Sequence, residues 1–313
     1  MRLADANGDQ RVEGVLPKVR FAIGVGGVDG VRNARLVEEL GYDGIWAGDH
    51  VMNGRPMADC LTSLAAAAAL TTGVDIISGV LLLPLRHPVP VAKALTTIDH
   101  ISQGRLTVGV GVGGEYPQEW EASGVPVRER GRRMDEGLQV LRKAWTEDTF
   151  SFDGRFYPLH DVTLLPKPYR KPHPPIWVGG RKEPSQRRTA RFATGWLPYL
   201  VTPQDYETGL KNIERFAKEY ETGPLAAGFT RAILVFIGLT DIGDYDPSRD
   251  PTGPMRKRGD KYYLIGDTRS CVERLRQFVD VGVEYFTIAW VCEPRLVERH
   301  MRHFIESVAP QFR

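Results

Sequence analysis

The chain has 313 residues, 42% hydrophobic and 26% charged, the proportions of a globular protein with material for a large core. Its 41 Lys and Arg against 39 Asp and Glu leave a net charge of +2, which gives no reason to expect nucleic acid or an anionic membrane as a partner. Three scattered cysteines, Cys60, Cys271 and Cys292, supply neither a disulfide framework nor a zinc spacing, so no metal site is expected.

Residues 1–17 read as a polar tail without the apolar core of a signal sequence, and the longest candidate apolar stretch, Leu64 to Leu70, is too short to span a bilayer. Cytoplasmic is therefore the expected location. Val19 to Val25 forms the first predicted strand. Asp29 can cap a helix through Val31, Ala34, Val37 and Leu40, ended by Gly41. Asp43 to Ala47 is strand two, and Asp59 can cap a helix from Leu61 to Leu70, closed by Gly73. Strand three begins at Ile76 and breaks at Pro84. A helix with Val91, Ala94, Leu95, Ile98 and Ile101 on one face follows, and Gly104 stops it. Leu106 to Val110 is strand four, which runs into Gly111, Gly113 and Gly114.

From Arg128 a longer helix places Met134, Leu138, Leu141 and Trp145 on one stripe. Phe150 to Tyr157, centred on Asp153-Gly154, reads as a β-hairpin, and a proline-rich connection leads from Pro158 to Pro175. Ile176 to Gly179 is strand five, followed by a helix from Pro184 to Ala193. Trp196 to Leu200 is strand six, with a helix from Gln204 to Tyr220. Arg231 to Leu239 is strand seven. The polar segment from Thr240 to Lys261 is long for a loop and is a candidate lid. Asp267 caps a helix closed at Gly282, Tyr285 to Ala289 is strand eight, and Pro294 to Val308 is the last helix. Eight strands, each followed by a helix, fit one domain of the α/β class, a (β/α)8 barrel, better than an open doubly wound sheet.

In such a barrel the strand exits share one face, and chemistry belongs there. The candidates are Asp49-His50 after strand two, Val80 to Arg86 after strand three, Gly111 to Tyr116 after strand four and Gly179-Gly180-Arg181 after strand five. The Phe150 hairpin leaves a helix and enters a strand, which assigns it to the opposite face. Histidine is the side chain whose ordinary charge change falls near neutral pH, so His50 suits acid–base work, unless it is merely hydrogen-bonded in its loop. Gly179-Gly180-Arg181 before a helix suits a phosphate, or is a plain turn with a solvated arginine. Gly109 to Gly114 satisfies G-x-G-x-x-G, but Glu115-Tyr116-Pro117 follows and no acidic residue closes a next strand, so a dinucleotide site is disfavoured. His300 and His303 read as a surface pair. Arg128, Arg130, Arg132 and Arg133, beside Glu129, Asp135 and Glu136, read as a salt-bridged face.

The run SGVLLLPLRHPVPVAKALTTIDHISQGRLTVGVGVGGEYPQEWEASGVPVRERGRRMDE resembles the bacterial luciferase-like monooxygenase superfamily, above all the branch that uses the deazaflavin coenzyme F420. YDGIWAGDH, FDGRFYPL, PPIWVGG and IGDTRSCVERLRQFVDVGVEYF extend the likeness over nearly the whole chain. The resemblance implies a (β/α)8 barrel with a non-prolyl cis peptide at Gly79-Val80, under the tricyclic ring of the coenzyme. It places Gly111, Val112, Gly113 and Gly114 beside that ring, and Gly179, Gly180 and Arg181 at the phosphates. It also places Asp49 near the ring, His50 as the acid or base, and Glu115 close to an acidic residue that members acting on sugar phosphates carry.

Val112 stands where the flavin-using luciferase has an arginine on the FMN phosphate, which argues against FMN. The expected activity is hydride transfer between F420 and a small organic substrate such as an alcohol, carbonyl or enone. The alternatives are an FMN-dependent monooxygenase and a non-catalytic flavin-binding protein. A homodimer is the implied assembly.

Overall fold

The computed structural model describes residues 18–27, 30–54, 56–220, 225, 228–243 and 260–313. Its strands are β1 (Arg20–Gly24), β2 (Gly44–Ala47), β3 (Asp75–Ser78), β4 (Leu106–Val110), β5 (Phe150–Phe152) and β6 (Leu159–Val162). They continue with β7 (Ile176–Gly179), β8 (Gly195–Leu197), β9 (Thr230–Leu239), β10 (Tyr263–Gly266) and β11 (Tyr285–Trp290). All pairings in the main sheet are parallel, and the order β1-β2-β3-β4-β7-β8-β9-β11 returns to β1, closing an eight-stranded barrel. Parallel closure puts every barrel strand's C-terminal end on one rim.

Between the strands run α1 (Ala34–Glu39), α2 (Cys60–Leu70), α3 (Pro88–Ile101), α4 (Pro117–Ala122), α5 (Arg130–Thr146), α6 (Glu183–Phe192), α7 (Pro203–Glu219), α8 (Thr268–Asp280) and α9 (Val297–His303). Met134, Leu138, Leu141 and Trp145 of α5 are all buried, as their spacing predicts. Asp59 accepts the Thr62 amide at 2.9 Å and Asp267 the Ser270 amide at 2.8 Å, capping α2 and α8. Asp29 lies outside the described residues. α3 ends through Gly104 at φ +85°, whereas α2 ends at extended Thr71 before Gly73 is reached.

The inside of the barrel holds Ala22, Ile77, Trp177, Leu197, Ala232 and Tyr285, with Trp46, Val80 and Leu234 packed on them. Glycines opposite make room for the large rings. A Cβ on Gly44 would lie 2.3 Å from the Tyr285 hydroxyl, one on Gly195 2.3 Å from Trp177, and one on Gly24 2.9 Å from Trp46. The barrel is thus solid below Trp46.

Four features differ from the sequence expectation. β10 is a ninth strand that pairs with the upper half of β9, on the edge that β8 has already left. The hairpin's return arm is Leu159–Val162, so the connection is wider than an Asp153-Gly154 turn. The short helix α4 opens soon after Gly114. The last helix breaks into α9, a π turn over Phe304–Val308 and a 3-10 turn over Ala309–Phe312. The candidate lid falls mostly outside the described residues.

Candidate active site

The Gly79-Val80 peptide is cis. The chain after β3 is held on both sides: the Gly79 amide donates to the Ala47 carbonyl at 2.8 Å, and the Leu81 amide to the Gly109 carbonyl at 2.8 Å. Gly111 returns a bond from its amide to the Leu81 carbonyl at 2.9 Å. Val80 then points across the exits of β4 and β7. A Cβ on Gly111 would stand 2.5 Å from Val80 Cγ2, and one on Gly179 2.8 Å from Val80 Cγ1. The lack of a side chain at these positions therefore makes room for Val80. The half-buried valine is the apolar knob of the rim, with Trp46 beneath Gly79 as its floor. Gly113 and Gly114 carry φ of +56° and +114°, a turn that β-carbons disfavour. Val112 is half-buried and packs against the main core.

Gly48-Asp49-His50 leaves β2 beside this bulge. His50 Nδ1 lies 3.3 and 3.2 Å from the two carboxylate oxygens of Glu119, and the Val51 amide donates to Glu119 Oε2 at 3.2 Å. Glu119 is fully buried while the His50 side chain keeps 25% of its surface exposed, so one edge of the ring reaches the rim and the other meets the acid. Tyr116 stands edge-on to the imidazole with centroids 5.0 Å apart.

Asp49 is otherwise engaged. Its carboxylate accepts the Leu82 amide at 2.9 Å and both arms of the Arg86 guanidinium, the second at 2.9 Å. Arg86 also bridges to Asp59 at 3.1 Å. Burial works against the Arg86 charge, but the two carboxylates outweigh it and its pKa rises. Burial likewise works against Asp59, yet the Thr62 amide and hydroxyl together with Arg86 hold its carboxyl below the usual range. Asp49 thus ties the β2 exit to the Leu82 turn and, through Arg86, to the start of α2. That placement suits holding the bulge better than moving a proton.

Across the rim, Glu115 is exposed and accepts a hydrogen bond from the Tyr199 hydroxyl. Arg181 lies over the Tyr199 ring at 5.2 Å and donates to the Tyr199 carbonyl at 3.3 Å. Gly180, at φ +99°, leads into α6, and its carbonyl accepts the Trp196 indole at 2.9 Å. Arg130 rests on the bare face of Gly114, where a Cβ would lie 3.2 Å from its Nε, and it caps the Val127 carbonyl at 2.9 Å.

The structure thus gathers His50, Val80, Gly111 to Glu115 and Gly179 to Arg181 at one rim, and adds Glu119, Tyr116, Tyr199 and Arg130. No spacing rule points to Glu119, which meets His50 across 69 positions of chain. The arginines near α5 do not form one ion-paired face: Arg133 pairs with Glu129 at 3.0 Å, but Arg130 turns to Gly114. His300 is not on the surface. It is buried, with Nδ1 3.0 Å from the Leu296 carbonyl, while half-buried His303 meets the Thr268 hydroxyl at 2.7 Å. Clefts of about 350 Å³ at Asp241 and His303 and about 250 Å³ at Arg187 and Tyr220 lie away from the rim residues. Among the described residues no group of three or more His, Cys, Asp or Glu could hold a metal ion, and no helix is long and apolar enough to cross a membrane.

Residues 27–242 match the family model of the luciferase-like monooxygenases. The chain is 33% identical over 168 residues to an uncharacterized protein of Mycobacterium tuberculosis, covering 54% of this chain and 57% of that protein. It is 38% identical over 138 residues to the FMNH(2)-dependent dimethylsulfone monooxygenase of Pseudomonas putida, covering 43% of this chain and 38% of that enzyme. These matches span only about half the length of the curated relatives, or less. In fold, the chain superposes on an F420-dependent secondary alcohol dehydrogenase in complex with an F420-acetone adduct, with a TM-score of 0.81 at 19% identity, over 95% of this chain and 99% of that one.

Proposed function

The chain belongs to the luciferase-like monooxygenase family, a family of oxidoreductases, and we propose that it binds coenzyme F420 and passes a hydride to or from carbon of a small organic substrate. The observation that carries this reading is the His50–Glu119 pair at the strand rim. Interconverting an alcohol and a carbonyl, or reducing an enone, requires a proton to be taken or given as hydride moves, and an imidazole backed by a carboxylate is suited to that task.

The rim residues fit a planar ring with a phosphate arm. Val80 offers an apolar surface seated on Gly111 and Gly179, and Arg130 and Arg181 flank the glycine exits as cations. Bound F420 supplies the hydride acceptor or donor, since its ring carries carbon where a flavin has N5. His50 holds or releases the proton at its rim-facing nitrogen. Asp49, through Leu82 and Arg86, keeps the bulge in place, and Val80 and Trp46 would give the coenzyme an apolar surface to be held against.

The match to the FMNH(2)-dependent relative favours a second reading, oxygen chemistry on FMN. Titrating the purified apo-protein with F420 and with FMN, followed by fluorescence, separates the two. Tight binding of F420 alone, with turnover of alcohols or enones and no oxygen uptake, is the expected result. Preference for FMN with oxygen consumption would overturn it, and binding of neither would remove the enzyme reading. His50→Ala should lower turnover by about 10²–10⁴-fold and leave coenzyme affinity nearly unchanged. Equal turnover would refute the proton role. A homodimer belongs to the same proposal and is tested by sedimentation.

A further inference from the structure

Glu119 is the only glutamate among the described residues that is fully buried. It stands in the first turn of α4, a helix held against the bulge by Trp120, which packs on Leu82 and Leu85. A buried carboxylate needs donors, and here two consecutive residues of the β2 exit supply them: the His50 ring and the Val51 amide. An ionised carboxylate only accepts, so the ring nitrogen facing it must carry hydrogen. The other ring nitrogen then presents its lone pair to the exposed edge. Tyr116, edge-on at 5.0 Å, limits rotation of the imidazole.

We propose that Glu119 is a positioning residue that fixes His50 as the Nδ1–H tautomer, with Nε2 free to take a proton from the rim. Its catalytic consequence rests on the proton role given to His50 above; the tautomer itself does not. Unconstrained neutral histidine favours hydrogen on Nε2, so the carboxylate reverses the ordinary preference.

Nitrogen-15 spectra of the histidine rings in the full-length apo-protein, recorded where the ring is neutral, test this without coenzyme or substrate. His50→Asn identifies the signal. The expected result is a protonated Nδ1 and an unprotonated Nε2 for His50. Glu119→Leu keeps the bulk of the side chain and removes both acceptors, so the ring and the Val51 amide both lose their partner. The variant should show a mixed or reversed tautomer and lower kcat by about tenfold, with coenzyme Kd within about twofold. A wild-type ring protonated on Nε2 overturns the proposal, and so does a Glu119→Leu spectrum identical to wild type, whatever its activity. The expected spectrum combined with unchanged turnover in His50→Ala upholds the tautomer and overturns only the proton role.

Discussion

Gly111→Ala is the sharpest probe of why the rim is rich in glycine. The added Cβ would stand 2.5 Å from Val80 Cγ2, and comfortable carbon contacts lie at about 3.5–4.0 Å, so Val80 or the β4 exit must move by about 1 Å or more. Overpacking of this kind costs about 1–3 kcal/mol. Gly111 does not sit at positive φ, so reduced freedom of the unfolded chain returns about 0.4–1 kcal/mol, and a net loss of about 1–2 kcal/mol is expected. Val80→Ala removes two methyl groups from a half-buried site and should cost about 1 kcal/mol. In the double variant the alanine at 111 occupies space that Cγ2 has left, so the pair should cost little more than Val80→Ala alone. Urea unfolding of all four proteins gives the cycle, with an expected favourable coupling of about 1–2 kcal/mol. Additivity within about 0.5 kcal/mol would show that the glycine does not serve the valine.

Asp49→Asn should destabilise by about 3 kcal/mol, the lower end for a broken buried pair because Arg86 is partly exposed, and should also weaken coenzyme binding as the Leu82 turn loosens. A urea midpoint equivalent to less than about 1 kcal/mol of loss would refute the tie. Burial holds the His300 imidazole below the ordinary histidine range, against the pull of the Leu296 and Leu239 carbonyls. The unfolded chain therefore binds that proton more readily, so stability is intact above about pH 6.5 and falls as pH drops below it, by up to about 1.4 kcal/mol per pH unit. His300→Asn should flatten that fall in a series of urea titrations from about pH 7.5 to 5; an unchanged slope would contradict the assignment.

Much of the barrel was legible because its signals are local. β4 and β7 match their predicted limits, since each is an apolar run that ends at glycine. β10 was not legible: four residues at the end of a polar stretch carry too little pattern to be told from loop, and β9 supplies the partner that makes them a strand. At the site, the strand exits were found by topology, while the contact of Gly111 and Gly179 with Val80 could not be read from the sequence. Asp49 reads as half of a proton pair when only its neighbour His50 is in view. Its partner Arg86, 37 positions away, looks in sequence like part of a turn. Glu119 was invisible for the same reason: a contact between a strand exit and the first turn of a distant helix leaves no periodicity to read.

The ninth strand also bears on the shape of the vessel. β8 pairs with β9 only at Gly195–Thr230 and Trp196–Arg231, with a bridge at Tyr199–Leu234, and β10 takes over from Phe236 to Leu239. Among the described residues β10 has no pairing with β8, and Leu200, Phe236, Tyr263 and Val291 pack together at that seam. The lower tier is meanwhile plugged by Tyr285, Trp177 and Trp46, each set into a glycine notch. The result is a solid stem below and, above it, a seam that side chains rather than a strand pairing close. A guest cannot sink into the stem, and trimming the side chains of that seam would change the upper rim without disturbing the stem that keeps the barrel closed.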